Sequence, residues 1–152
     1  MIDSSVESVQ KISSKLRPGI LDELGLIAAI EWQTEEFQKL TNIKCSLALP
    51  KDELNLDRKK TTAIFRIFQE ALTNIARHSE ASRVNISLFS YQSNIYLEIQ
   101  DNGKGITQEQ IKDFKSLGIL GMKERAMVFG GEVYIEGIPG KGTIVKVEIP
   151  YY

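Results

Sequence analysis

The sequence predicts a two-layer α/β sandwich, a mixed and mainly antiparallel sheet with helices on one face. Three observations carry this. Two segments at Arg83–Tyr91 and Asn94–Asp101 alternate apolar and polar residues around the polar pair Gln92-Ser93, and read as a hairpin. A second hairpin, Glu132–Glu136 and Thr143–Ile149, closes around Gly137-Ile138-Pro139-Gly140. Long stretches of helical period precede and separate them, and alternation of this kind favours helices layered on one sheet face.

Taken in order, residues 4–16 have the pattern of a short helix, which Arg17-Pro18-Gly19 interrupts because proline lacks the N–H a helix interior needs. A second helix is expected over about Leu21–Leu40. There Leu26, Ile30, Gln33, Phe37 and Leu40 fall near coiled-coil spacing, with Leu24, Ile27 and Ala28 widening the apolar face toward some larger packing partner. Ile43–Leu49 alternates and stops at Pro50, the pattern of a half-buried strand. A third long helix covers about Leu56–His78 with Asp57 as N-cap, and a fourth covers Leu120–Phe129 and ends at Gly130-Gly131. The expected organisation is a helical appendage over residues 1–41 and a domain over residues 42–152.

Composition excludes several classes. With 152 residues, 42% hydrophobic and 26% charged, the chain has the make-up of one soluble globular domain with an appendage. Its 19 basic and 20 acidic residues leave a formal charge of −1, so no nucleic-acid or anionic-membrane footprint exists and any phosphate binding is local. One cysteine, Cys45, and one histidine, His78, cannot build a disulfide scaffold or a zinc site of nitrogen and sulfur ligands. Cys45 is expected to be a buried small hydrophobe. No signal-like leader opens the sequence and no apolar run is long enough to span a bilayer, so the segment reads as cytoplasmic, without direct membrane contact, even if a larger parent is anchored.

Four elements could carry chemistry. On the third helix Glu70, Asn74, Arg77 and His78 recur at i, i+4, i+7 and i+8 beside the apolar stripe of Ile64, Phe68, Ala71, Leu72 and Ile75. A carboxylate, an amide, a guanidinium and an imidazole on the rim of a cleft suit magnesium and phosphate. A solvated flank with an ordinary salt bridge would carry the same residues. The second element is Asp101-Asn102-Gly103-Lys104-Gly105, where strand parity with Ile95, Leu97 and Ile99 turns Asp101 inward. A buried carboxylate needs a partner, either its own turn backbone or a ligand amino group. The third, Gly118-Ile119-Leu120-Gly121-Met122, enters a helix whose free amides and positive dipole end suit an anion, or is a plain loop-to-helix junction. No Walker lysine pattern occurs. The fourth is Gly142-Thr143, whose hydroxyl shares parity with Val145, Val147 and Ile149 and faces the same side as Asp101, toward a shared partner or merely toward turn backbone.

Together and in order these elements resemble the nucleotide site of the GHKL superfamily: gyrase, Hsp90 chaperones, histidine kinases and MutL-type ATPases. Glu70-Ala71-Leu72-Thr73-Asn74-Ile75-Ala76-Arg77-His78 resembles its N box, Asp101-Asn102-Gly103-Lys104-Gly105-Ile106 its first glycine box, Gly118–Met122 its second, and Gly142-Thr143 its closing element, over about residues 43–150. The Ala-Arg-His ending and Gly-x-x-Gly-Met-x-Glu-Arg at residues 118–125 look like the short-lidded sensor histidine kinases that include nitrate and membrane-fluidity sensors. Leu16-Arg17-Pro18-Gly19-Ile20-Leu21-Asp22-Glu23-Leu24-Gly25-Leu26 is similar to the second helix of their dimerization and phosphotransfer domain, running into the catalytic domain.

The resemblance implies the Bergerat fold and an ATP-dependent protein histidine kinase with ATP and Mg2+ as cofactors. It implies that Asn74 coordinates magnesium, Glu70 places the metal or its water, and Arg77 and His78 meet phosphates. Asp101, assisted by Thr143, takes the adenine amino group within the loop of Gly103, Lys104, Gly105 and Ile106. The amides from Gly118 through Ile119, Leu120, Gly121 and Met122 hold the phosphate tail, and Ile106–Leu117 is the ATP lid. Implied partners are the chain's own dimerization and phosphoacceptor domain, in a homodimer of the full-length protein, and the receiver domain of a response regulator. His78 lies in the N box and is not placed to be the phosphoacceptor, so the acceptor histidine is expected on an upstream helix outside this sequence. Two alternatives share the nucleotide boxes: a serine protein kinase of the anti-sigma-factor type, which lacks the Leu-Arg-Pro and Leu-Gly-Leu entry, and a nucleotide-binding module without catalysis.

Overall fold

The computed structural model describes residues 17–112 and 118–152. The helix expected over residues 4–16 lies outside them. Five strands, β1 (Lys44–Ala48), β2 (Arg83–Tyr91), β3 (Asn94–Asp101), β4 (Glu132–Ile138) and β5 (Gly142–Pro150), form one sheet in the order β1-β2-β3-β5-β4. β1 runs parallel to β2, and the other pairs are antiparallel. Both expected hairpins are present. Gln92 and Ser93 turn the first with φ of 47° and 67°, the positive values a two-residue hairpin turn demands.

Alternation places the inner layer. Val84, Ile86 and Leu88 on β2, Ile95, Leu97 and Ile99 on β3, and Val145, Val147 and Ile149 on β5 are all buried, and Asp101 shares their side. Against them lies α2 (Arg58–Asn74), extended by a π-helical turn at Ile75–Ser79, with Ile64, Phe65, Ile67, Phe68 and Leu72 buried. Asp57 caps it as expected, accepting from Lys60 N at 2.8 Å. Each fully buried aliphatic or aromatic side chain of this kind contributes roughly 1.5–3 kcal/mol.

The segment before β1 differs from its expected single helix. Arg17–Leu21 is a π-helical turn, and Pro18 falls at its start, where an N–H would have no intrahelical acceptor. Within the helix expected over about Leu21–Leu40 a break falls at Gly25, which has φ 94° and separates the turn Asp22–Leu24 from α1 (Leu26–Thr41). Glu53, from the loop before α2, occupies the space a side chain at Gly25 would need. Its two carboxylate oxygens accept from Ile27 N at 3.0 Å and Ala28 N at 3.2 Å, capping α1 from 26 residues away. Most of the expected apolar stripe then packs within the chain: Leu26, Ile27, Ile30 and Phe37 are buried and join the same core as α2 and the sheet, whereas Leu24, expected on that face, is exposed because it lies before the break at Gly25. Packing is continuous from Leu21 to Ile149, so no gap marks residues 41 and 42.

Two shorter helices finish the layer. α3 (Gln108–Lys112) lies inside what the sequence presents as a loop, started by Thr107, whose hydroxyl accepts from Gln110 N while Gln110 Oε1 accepts from Thr107 N. α4 (Ile119–Met127) ends where Gly130, at φ 76°, turns the chain and Gly131 N donates to Ala126 O. Cys45 is half-buried rather than buried, and burial pushes its thiol up to about 11, which leaves it inert.

Candidate functional site

α2 and its π turn run above the C-terminal end of β3, and the gap between them is a pocket. Its floor and walls are apolar: Ile75 and Ala71 from above, Ile99, Ile135 and Val145 from the sheet, Ile119 and Met122 from α4. Its polar members are few. Asp101 and Thr143 face it from the sheet, Asn74, His78 and Ser79 from the helix side, and Gln110 from α3. A flat slot with a small polar set at one end suits a heteroaromatic ring whose edge is read by hydrogen bonds.

Asp101 ends β3 opposite Val84 and is only 6% exposed. Its Oδ1 accepts from Gly103 N at 2.8 Å, the turn-capping bond that sequence alone left as one alternative. Burial pushes the carboxyl above its usual range, and the amides of Gly103 and Thr143 pull it part of the way back. Those bonds do not remove it from the pocket it lines. Thr143 Oγ1 accepts from Ile106 N at 2.7 Å, so the hydroxyl fixes the loop after Asp101 while facing the same space.

Three glycines let the backbones close on this end. A Cβ on Gly103 would overlap Ser79 O, one on Gly142 would overlap Asp101 O, and one on Gly105, at φ 85°, would overlap Ile138 O. Lys104 N donates to Ser79 O at 2.8 Å and Lys104 O accepts from Gly140 N at 2.8 Å, which stitches the loop between the π turn and the β4–β5 hairpin.

At the opposite end the groups are looser. Gly118, at φ 65°, precedes α4, and among the described residues no side chain caps that helix. Glu70 turns its carboxylate against Gly118, filling the place of a Cβ there. His78 Nε2 is buried at the pocket wall with no hydrogen-bond partner among the described residues, and burial, with Arg77 and Lys104 nearby, lowers its pKa. An orphaned ring nitrogen beside two cations fits an anionic ligand group.

Of the sequence-derived site residues, Asn74, His78, Asp101, Gly105, Ile106, Ile119, Met122 and Thr143 line the pocket together. Gly103 shapes it through backbone contact, and Glu70 meets Gly118 at its edge. Arg77, Lys104 and Leu120 are exposed at the mouth, and Gly121 sits in the first turn of α4. Sequence reasoning missed Ser79, Gln110 and the apolar floor. Ile99 and Val145 were legible as inward residues, one step of the strand period from Asp101 and Thr143, but parity does not tell core from pocket floor. Gln110 had no signal. Among the described residues no three His, Cys, Asp or Glu side chains gather for a metal, so any cation draws at most a couple of ligands here and the rest from a ligand or water. Glu70 and Asn74, one turn apart on α2 at the pocket edge, offer the oxygen donors Mg2+ prefers in such company.

A mixed sheet roofed by helices, with a buried carboxylate and glycine loops under the end of a long helix, is the architecture of a nucleotide-binding ATPase domain. The chain belongs to the histidine kinase-, DNA gyrase B- and HSP90-like ATPase family, whose sequence model matches residues 59–152. It is similar to the oxygen sensor histidine kinase NreB of Staphylococcus carnosus, 33% identical over 145 residues that cover 95% of this chain and 42% of that protein. It is also similar to the sensor histidine kinase LiaS of Bacillus subtilis, 36% identical over 90% of this chain and 37% of that protein. The chain thus spans about two fifths of the length of these relatives. In structure it resembles the histidine kinase domain of a blue-light activated histidine kinase from Erythrobacter litoralis (TM-score 0.75, 18% identity, 97% of this chain and 74% of that chain). The histidine kinase AdeS of Acinetobacter baumannii follows the same fold (TM-score 0.66, 18% identity, 97% and 76%).

Proposed function

We propose that this chain is the ATP-binding catalytic part of a two-component sensor histidine kinase, delivering the γ-phosphoryl of Mg-ATP to a histidine on a dimerization helix. The observation that carries this reading is Asp101 and Thr143, inward on one sheet face, looking across an apolar slot at Asn74 and His78 on the covering helix. The single histidine of the sequence stands in the pocket wall, where it serves the nucleotide rather than receiving the phosphoryl group.

Each residue then has a task. Asp101 accepts a hydrogen bond from the adenine amino group, while Ile99, Ile135, Val145 and Met122 pack on the ring faces. The free amides of α4 at Ile119, Leu120 and Gly121 turn their positive end to the phosphates, with Arg77, His78 and Lys104 adding charge. Mg2+, held by Asn74 and approached by Glu70, neutralises the triphosphate oxygens when bound. Transfer of this kind rests on positioning and charge neutralisation more than on reactive side chains.

By the same reading residues 1–41 are the end of a dimerization and phosphotransfer helix with its connector, and residues 42–152 the catalytic domain, α1 being the connector's docked part. The natural partners are the chain's own phosphoacceptor domain, as a homodimer, and a response-regulator receiver domain. Among the described residues no helix is long and apolar enough to cross a membrane, and we place the segment in the cytoplasm. The test mixes the chain with a separately made acceptor-helix domain and Mg-ATP. Acid-labile, base-stable phosphohistidine is expected on the acceptor domain. Measurable ATP binding without it, or phosphoserine on an added protein, would overturn histidine transfer.

A further inference from the structure

Asn102 follows the buried carboxylate, is exposed, and belongs to none of the roles assigned above. Its side chain is nonetheless fully engaged. Oδ1 accepts from Ser82 N and from Arg83 N, both at 2.9 Å, and Nδ2 donates to Ser82 Oγ at 2.9 Å. Its own N–H donates to Arg83 O at 3.2 Å. Two backbone donors converging on one atom require the carbonyl oxygen there, which fixes the orientation of the amide. Asn102 therefore ties the residue after Asp101 to the first residues of β2, the strand that Asp101 itself pairs through Val84.

The other constraints on Asp101 come from different directions. Gly103 and Lys104 rest on Ser79 O below the helix, and Gly142 lets β5 close on the Asp101 carbonyl. None of these acts on the β2 side, where the backbone bond from Asn102 N to Arg83 O and the pairing of Asp101 with Val84 hold the chain. Among the described residues the Asn102 side chain adds three further bonds on that side, one residue beyond Asp101. We infer that Asn102 is a positioning residue for base recognition: by clamping the chain to Ser82 and Arg83 it aims the Asp101 carboxylate at the ring edge of a purine nucleotide. This rests on the reading of Asp101 as the group that accepts from the adenine amino group.

The experiment compares binding of ATP and of inosine triphosphate, which carries an oxygen in place of the amino group. Calorimetry is run on the chain and on Asn102→Ala and Asn102→Asp, with melting curves alongside. Asn102→Asp keeps the oxygen that answers the two N–H donors, while Asn102→Ala leaves them to water. The expected result is a fall of roughly tenfold in the preference for ATP over inosine triphosphate in Asn102→Ala, restored in Asn102→Asp. The preference, being a ratio, does not move with overall stability or with charge near the phosphates. Equal loss for both nucleotides in Asn102→Ala, or an unchanged preference, would overturn the inference and leave Asp101 as the base reader. A chain that binds ATP and inosine triphosphate equally before any substitution would instead remove the Asp101 reading, and the inference with it.

Discussion

At the sheet end of the pocket Asp101, Gly103, Lys104, Ile106 and Thr143 are bonded into the fold by backbone or turn hydrogen bonds, and glycines admit carbonyls where side chains cannot go. At the α4 end Gly118 begins a helix with no side-chain cap among the described residues, Leu120 is 43% exposed, and Arg77 reaches into solvent. One end is assembled as the domain folds, whereas the other, on the function proposed, is completed by the phosphates of the ligand. Substitutions at the first should therefore couple binding to stability, and substitutions at the second should separate them.

The strongest test of that difference is Gly142→Ala. The residue has φ 133° and its Cβ would overlap the Asp101 carbonyl, a backbone atom that cannot give without moving β3. A cost of about 3 kcal/mol or more is expected, a large share of the 5–15 kcal/mol typical of a domain. Denaturant unfolding should shift to lower concentration and ATP binding should fail together. A variant of unchanged stability that had lost only binding would show that the sheet end is not built as described.

Asp101→Asn comes next and probes the cost of holding a carboxylate in this place. Burial raises the pKa of Asp101, so the folded state binds its proton more tightly than the unfolded chain does. Its contribution to stability is present at acid pH, below the ordinary carboxylate value, and is lost as pH rises through the folded-state pKa. Above that value the ionised group is held less well by the fold than by water. Asparagine keeps an oxygen for Gly103 N without the charge. The nucleotide-free variant should melt higher than the parent at pH 7, while ATP affinity falls by roughly 100-fold, since the amide presents the wrong polarity or a weaker acceptor to the base. A variant that melts lower would mean that the fold, rather than a ligand, uses the charge.

The same contrast explains what could be read from the sequence. The strands of the sheet end were legible because Ile95, Leu97, Ile99 and Asp101 obey a period of two, and burial follows that period to its last residue. The helix of Asn74 and His78 was legible from its apolar stripe and the Asp57 cap. Gly25 and Glu53 were not, because the cap on α1 comes from a loop 26 residues away and no local pattern records a tertiary bond. Nor did spacing show that α1 would share the core of α2, since a stripe of Leu26, Ile30 and Phe37 fits a partner helix in another molecule equally well. Ser79 was missed for a similar reason: what matters is its carbonyl, which receives Lys104 N, and a backbone acceptor leaves no mark in a sequence.

Arg77→Ala addresses the open end. The side chain is exposed, so the fold should not notice its loss beyond about 0.5 kcal/mol. ATP affinity should fall by roughly 3- to 10-fold, more at low salt than at high, as expected for a charge at a solvated site. Adenosine, lacking phosphates, should bind both proteins alike. An equal loss for adenosine would place Arg77 at the base rather than at the phosphates.

His78 gives the smallest effect and the clearest sign. Burial and the neighbouring Arg77 and Lys104 lower its pKa in the nucleotide-free chain, so near pH 7 the ring is neutral, and its buried Nε2 has no partner among the described residues. In the fold this depressed value means that stability is fully present above the ordinary histidine pKa and declines as pH falls from there toward the folded-state value. A bound triphosphate reverses the local charge, favours the imidazolium, and gives Nε2–H an acceptor. Lowering the pH should therefore weaken the empty chain yet tighten its hold on ATP, by a factor of about 2–5 between pH 7.5 and 6, since one proton limits the slope to tenfold per unit. ATP itself titrates in this range, so the decisive quantity is the difference between the parent and His78→Gln. The glutamine variant should retain only the dependence that belongs to the nucleotide. If the two profiles coincide, His78 does not meet the phosphates, and its ring nitrogen must be answered from elsewhere in the pocket, with Gln110 of α3, another polar residue of its lining, the next to test.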